Sequence, residues 1–300
     1  MNEQKMEFPV EIDGTTDSKI AGYFYPAQGE RREVLQVLVH GVSYDHRYWD
    51  AGTVNGQDYS YARYMAARGF DVLALDLPGV GSSPVPKGSS VLVEAVGKAI
   101  SNLVNLVREP DAIPGCRFRH ISLVGHSMGC MVTVNTQANW PAADSVVVLG
   151  IGYLPSRERA LVWDRDRGAR DALLKNEYSL VPLEVRLNFY HPPQADSDVI
   201  AYDNEVLRTP ALSSLWADCI RLWDDPKSGA AEVTCPVYVQ LGEHDPILLG
   251  KHAEQERKCY TSSSDVAVDQ LPDIGHAFNL HLNRGQGWRA LSDFFDRVKG

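Results

Sequence analysis

The stretch His120–Thr133, HISLVGHSMGCMVT, constrains the fold more than any other part of the chain. It opens on Ile121, Leu123 and Val124, a short apolar run suited to a buried strand. It then passes through Gly125-His126-Ser127-Met128-Gly129 and enters an apolar segment of helical length. A G-x-S-x-G pattern between a strand and a helix reads as a nucleophile elbow, a turn sharp enough to hold the serine in strained backbone geometry with its hydroxyl clear of the sheet. Only small residues can flank such a serine without clashing, and Gly125 and Gly129 fill those places. The turn also aims the first amides of the next helix at the space beside the hydroxyl, where an oxyanion would form.

A chain of 300 residues should bury about three quarters of its unfolded surface, and α/β folds of this length occur as one domain. Its net charge of −10 leaves no basic footprint for nucleic acid and would be repelled by anionic membranes. The opening MNEQKMEFPVEIDG lacks the basic start and apolar run of a secretory signal, and no apolar run is long enough to cross a bilayer. The five cysteines, Cys116, Cys130, Cys219, Cys235 and Cys259, are odd in number and irregularly spaced. They are read as reduced thiols of a cytoplasmic protein, with neither a disulfide framework nor a metal pattern.

Taken in order, Met6–Ile12 and Lys19–Tyr25 read as a hairpin around Asp13-Gly14. Residues 33–40, EVLQVLVH, read as a strand apolar enough to be covered on both faces. A helix over 59–68, stopped by Gly69, leads to a strand over 70–77. The spacing of Leu92, Val96, Ile100, Leu103 and Leu106 predicts a helix over 91–107. After the elbow come a strand over 145–150 and a region, residues 153–232, without strand signal, read as an inserted helical cap on a core of residues 1–152 and 233–300. The alternation resumes with a strand at 237–241, a helix near 251–258, a strand at 265–271 and a final helix near 288–298. Strands separated by helices mean a mostly parallel sheet with helices on both faces. Pro84 and Pro155 stand where the third glycine of a dinucleotide fingerprint would fall, and no Walker lysine follows either glycine turn, so no nucleotide cofactor is expected.

A serine hydroxyl needs a base, and the base an orienting acid; on an elbow fold both follow the serine, each just past a strand, with the acid first. Among nine histidines, His276 follows the last strand behind Gly275, with His281 the runner-up. The strand at 237–241 runs into Gly242-Glu243-His244-Asp245-Pro246, which makes Asp245 the acid and Glu243 its local alternative. The second oxyanion donor belongs to the loop His40-Gly41-Val42-Ser43, giving the amides of Val42 and Met128 as the pair.

These residues together resemble the α/β-hydrolase superfamily: His40-Gly41, Asp76-x-Pro-Gly-x-Gly-x-Ser83, Gly125-x-Ser127-x-Gly129, Gly242-x-x-Asp245 and Gly275-His276, in family order over nearly the whole chain. The run VLVHGVSYDHRYWD further resembles a branch of bacterial and fungal hydrolases. The resemblance implies an eight-stranded, mostly parallel sheet, a triad of Ser127, Asp245 and His276, and no cofactor. It also implies that the serine excludes the aspartate-nucleophile epoxide hydrolases and dehalogenases. Tyr44, Trp49, Ile151, Trp163 and Trp216 are the candidate substrate contacts, with simple packing as the competing role of the aromatics. A capped pocket favours a small-to-medium hydrophobic carboxylic ester or lactone over a polymer. Carbon–carbon bond hydrolysis, a lyase reaction and ligand binding without catalysis stay open on the same fold. No partner beyond the small molecule is expected, neither nucleic acid nor membrane, and a homodimer is allowed.

Overall fold

A computed structural model describes residues 3–85, 91–154, 174–223, 228–247 and 253–299. Its frame is one eight-stranded sheet. The strands are β1 (Gln4–Ile12), β2 (Thr15–Tyr25), β3 (Val34–Val39), β4 (Asp71–Leu75), β5 (His120–His126), β6 (Ser145–Leu149), β7 (Val237–Gly242) and β8 (Val266–Leu271). They lie side by side in the order β1-β2-β4-β3-β5-β6-β7-β8. The hairpin β1–β2 joins the rest antiparallel, and every pairing from β4 to β8 is parallel. Parallel neighbours need crossovers, and the crossovers lay helices on both faces. All residues of β3 to β7 are accordingly buried. The edge strand β1 alternates instead: Met6, Phe8, Val10 and Ile12 turn towards the core while Lys5, Glu7, Pro9 and Glu11 turn out.

Among the described residues the α-helices longer than one turn are α1 (Tyr61–Ala67), α2 (Val93–Arg108), α3 (Met128–Asn139), α4 (Ser197–Tyr202), α5 (Ser213–Trp223) and α6 (Gly285–Val298). On one face α2 and α3 pack on Val37, Val39, Leu123 and Val148. On the other, α1 and α6 pack on Leu38, Val124, Val147 and Tyr238. The hydrophobic face of α2 is offset from the one expected: Val93, Val96, Ile100, Leu103 and Val107 are inside, while Leu92 and Leu106 face out. The helix starts at Val93, so Leu92 caps it instead of sharing its face.

Two further departures have local causes. Residues 253–259 form a 3₁₀ turn in place of an α-helix, and within it Glu256 is drawn inward to accept the amides of Tyr153 and Leu154. Residues 50–60 form an unforeseen ribbon, Asp50–Val54 against Gln57–Ser60. The region expected to be helical contains α4, α5, isolated turns, and a short antiparallel pairing of Tyr178–Ser179 with Ala211–Leu212. Within the described residues 174–223, Pro182, Pro192, Pro193 and Pro210 bound or interrupt the helices.

This segment is stitched to the core. Ser43 accepts the amide of Val181 on Oγ (2.7 Å) and that of Thr209 on its carbonyl (3.0 Å). The amide of Leu282 donates to Gln194 O (2.8 Å), Trp223 Nε1 donates to Gly152 O (2.8 Å), and Asp218 caps α2 through the amide of Val93 (3.0 Å). Among the described residues, no helix is long and apolar enough to cross a membrane.

Candidate active site

Ser127 sits between β5 and α3 with φ +53° and ψ −122°, a conformation that non-glycine residues avoid and that must be held by its surroundings. The holding is visible on both sides. The amide of Ser127 donates to Leu149 O on β6 (2.9 Å) and its carbonyl accepts from Cys130 (2.8 Å). A Cβ on Gly125 would stand 2.6 Å from the amide nitrogen of Cys130, and one on Gly129 would overlap the carbonyl of Val39 at the end of β3. The two glycines of the motif are therefore required by space, because α3 starts directly against two strands. Cys130 completes the joint by lodging its Sγ between the carbonyl and amide of Leu149.

The loops after β5, β7 and β8 bring three side chains into line. Ser127 Oγ lies 2.9 Å from His276 Nε2, and His276 Nδ1 lies 2.7 Å from Asp245 Oδ2. With the acid ionised, Nδ1 carries the proton and donates to Asp245, which leaves Nε2 to accept from the serine hydroxyl. The other oxygen of Asp245 accepts the amide of Ile247 (2.9 Å), so the carboxylate is fixed at both ends. All three residues are buried, Ser127 at 7% exposure and His276 at 1%. Glu243 lies away from this line, half exposed and accepting the amide of Asp273. His281 is also near but is otherwise engaged: its Nε2 accepts the amides of His191 (3.0 Å) and Gly275 (3.1 Å) and its Nδ1 donates to Ala277 O (2.9 Å). Burial holds its pKa at about 4, so it stays neutral in that role.

His126 does more than fill space. Its ring stacks on Tyr48 at 4.4 Å, and Nε2 donates to the carbonyl of His276 (2.9 Å). Complete burial keeps the imidazole well below its ordinary pKa and therefore neutral. His40 ties down the neighbouring loop in the same way, with Nε2 accepting the amide of Leu77 (3.1 Å) and Nδ1 donating to Gly41 O (2.8 Å).

Gly41 brings the loop after β3 against the elbow, since a Cβ there would stand 3.0 Å from both Ser127 Cβ and His126 Nδ1. Val42 follows Gly41 in that loop, and Met128 opens the first turn of α3, where helix amides have no intrahelical acceptor. Ser43, at φ +62°, carries both bonds to the 174–223 segment, so that segment holds the loop in place.

The expected substrate contacts fare differently. Trp49 is fully buried among Tyr48, Tyr61 and His126. It packs the core under α1, which corrects its assignment to a pocket wall. Tyr44 is likewise buried and commits its hydroxyl to Asp203 (3.2 Å). Ile151 is buried just after β6, Trp216 on α5 is half buried, and Trp163 lies outside the described residues. Three half-buried apolar residues touch the cores on both faces of the sheet: Val42, Trp216 and Ile247. Ile247 escaped the sequence reading because it follows the acid loop without any motif of its own.

Beneath the segment, Asp203 gathers Arg186 (2.5 Å), Tyr190 (2.6 Å) and Tyr44, with the guanidinium of Arg186 4.8 Å over the ring of Tyr44. Burial pushes the Asp203 carboxyl up while Arg186 pulls it down; burial also raises both tyrosines, which remain protonated donors.

Residues 36–286 match the alpha/beta hydrolase family, and the chain belongs to it. No curated protein matches it in sequence. Among solved structures it resembles a thermophilic esterase from Thermogutta terrifontis (18% identity, TM-score 0.64, 99% of this chain on 100% of that one). It also resembles a thermostable carboxyl esterase from Bacillus coagulans (16%, 0.70, all of both chains). A third is a soluble variant of the monoglyceride lipase of Saccharomyces cerevisiae (14%, 0.71, 99% of this chain on 96% of that one). At these identities the likeness is one of fold.

Proposed function

We propose that this protein is a serine hydrolase that cleaves a small-to-medium hydrophobic carboxylic ester or lactone through an acyl-serine intermediate. The observation that carries the reading is the unbroken line from Ser127 Oγ through His276 to Asp245, at 2.9 and 2.7 Å, behind a serine held in a strained turn. Ser127 attacks the acyl carbonyl and its proton passes to His276 Nε2. Asp245 keeps the imidazole in the accepting tautomer and stabilises the cation that forms. The amides of Val42 and Met128 receive the oxyanion, where a single donor is worth about 10²–10³ in rate. The protonated His276 then gives its proton to the leaving alkoxide, and a water activated by the same imidazole releases the acid. No cofactor enters any step.

The size and polarity of the substrate follow from burial. A serine at 7% exposure favours a compact apolar acyl group over a polymer. The esterase and lipase identities of the neighbouring folds agree with an ester. The test is a panel of p-nitrophenyl esters of increasing chain length, lactones and β-diketones, run on wild type and Ser127→Ala. Turnover of esters or lactones, with an acyl adduct on Ser127 by mass spectrometry and a loss of about 10⁴–10⁶ in the variant, supports the reading. Normal turnover by folded Ser127→Ala, or cleavage confined to β-diketones, defeats it.

A further inference from the structure

On the surface behind the acid and base loops, His191, His244 and Asp273 present ligand atoms that all lie within 4.8 Å of one another. They come from separate parts of the chain: the 174–223 segment, the loop after β7 and the loop after β8. The two imidazoles lie parallel, 3.8 Å apart with 5° between their planes, so one ring must turn before both in-plane nitrogen lone pairs can meet a shared ion. Asp273 Oδ1 stands 3.6 Å from His191 Nε2 and 3.9 Å from His244 Nε2. Glu243 adds a carboxylate oxygen 3.9 Å from His244 Nε2. These separations are too long for hydrogen bonds. They are close to the edge of a tetrahedron around an ion with bonds of about 2.0–2.1 Å, roughly 3.4 Å.

The backbone holds the three residues in place from behind. The amide of His191 is fixed by His281, which also holds Gly275 beside the catalytic histidine. The amide of His244 donates to Ile274 O (2.9 Å), and Glu243 accepts the amide of Asp273, which sits at φ +55°. Among the described residues the other grouping of this kind, Asp45, His46 and Asp76, is already satisfied internally. Asp76 takes the amides of His46 and Ser82 as well as the His46 ring, and Asp45 clasps Arg47.

We propose that His191, His244 and Asp273 form a binding site for a divalent transition ion of the zinc class, with Glu243 or water in the fourth position. Two imidazoles and one carboxylate favour zinc, cobalt, nickel or copper over magnesium or calcium. The sequence shows no metal pattern because the ligands stand at 191, 244 and 273, with no shared motif. The bound ion ties the overlying segment to the two loops that carry Asp245 and His276, so its effect is to hold that segment closed over the site.

The test uses tag-free, EDTA-treated full-length protein titrated with Zn²⁺ by calorimetry, and with Co²⁺ by visible absorption. One equivalent should bind, and the unfolding temperature should rise with Zn²⁺ concentration, because an ion that binds only the folded chain stabilises it by mass action. The double variant His191→Ala/His244→Ala should lose binding, Glu243→Gln should weaken it about 10-fold, and His46→Ala should leave it unchanged. Ser127→Ala should bind as wild type does, which separates this result from the fate of the hydrolase reading. Circular dichroism confirms that the surface variants are folded. No saturable binding at millimolar Zn²⁺, or binding that survives the double variant, overturns the proposal.

Discussion

The ring of Phe189 lies against the ring of His276 with centroids 4.8 Å apart, and the carbonyl of Phe189 accepts the amide of the next residue, Ala277, at 3.0 Å. A residue of the overlying segment thus forms one wall of the base. In the proposed hydrolase the segment braces His276 directly. Phe189→Ala should lower kcat on a small acetate ester by more than it raises KM, through a looser His276. Steady-state kinetics beside a thermal melt decide it: a lower melting temperature with unchanged kcat would reduce Phe189 to packing.

The acid is separable from its neighbour. Asp245→Asn should cost about 10⁴ in kcat by favouring the wrong histidine tautomer. Glu243→Gln, at a half-exposed side chain bonded to Asp273, should be nearly silent in metal-free buffer. Ester hydrolysis by the two purified variants checks the ranking, and the opposite order would move the acid to Glu243.

Gly41 offers access to the proposed oxyanion amide of Val42, which side-chain mutation cannot delete. A methyl group there meets Ser127 Cβ and His126 Nδ1 at 3.0 Å, so the loop must give by a few tenths of an ångström. Gly41→Ala should fold and lose about 10–10² in kcat, in keeping with the sensitivity of oriented groups to small displacements. Wild-type kcat in a folded Gly41→Ala would put the second donor elsewhere.

Asp203 is the sole carboxylate against Arg186 among the described ion pairs, and both side chains are fully buried. Asp203→Ala strands a buried guanidinium and should cost about 3–5 kcal/mol. Arg186→Met with Asp203→Ala should cost less than Asp203→Ala alone, because no charge is left without a partner. Urea unfolding of the three proteins measures the difference.

His281 makes stability depend on pH. Its folded pKa of about 4 lies below the ordinary 6.5, so the unfolded chain takes up the proton first as pH falls. The stability tied to the neutral ring is complete above pH 6.5 and is lost between 6.5 and about 4, up to about 3 kcal/mol. His281→Gln, which can still accept an amide proton, should flatten the profile over that range. An unchanged slope would assign the dependence to His40 and His126, whose pKa values burial also lowers.

What could be read from the sequence was what local pattern dictates. The glycines at 125 and 129, the apolar runs of β3 to β7 and the chain order of serine, acid and base each follow from sterics or connectivity within a few residues. The place of Trp49 was not legible for the opposite reason. Whether Trp49 faces a ligand or the core depends on α1 and on His126, which no spacing near Trp49 reveals. In the described part of residues 153–232, the pairing of Tyr178–Ser179 with Ala211–Leu212 was hidden for the same reason. Prolines were visible there, but the bonds from Ser43 and Ala277 that shape the segment arrive from far along the chain.

The outer edge at β1 limits how this molecule can meet others. Strand addition needs a row of free amides and a flat approach, and β1 answers with Pro9, which has no amide to offer, flanked by outward Lys5, Glu7 and Glu11. A neighbour approaching that rim meets charge and a missing donor in place of a template. The sheet therefore ends at its own first strand, and crowding many copies together, as in a cell or a concentrated preparation, gives them no seam along which to polymerise there.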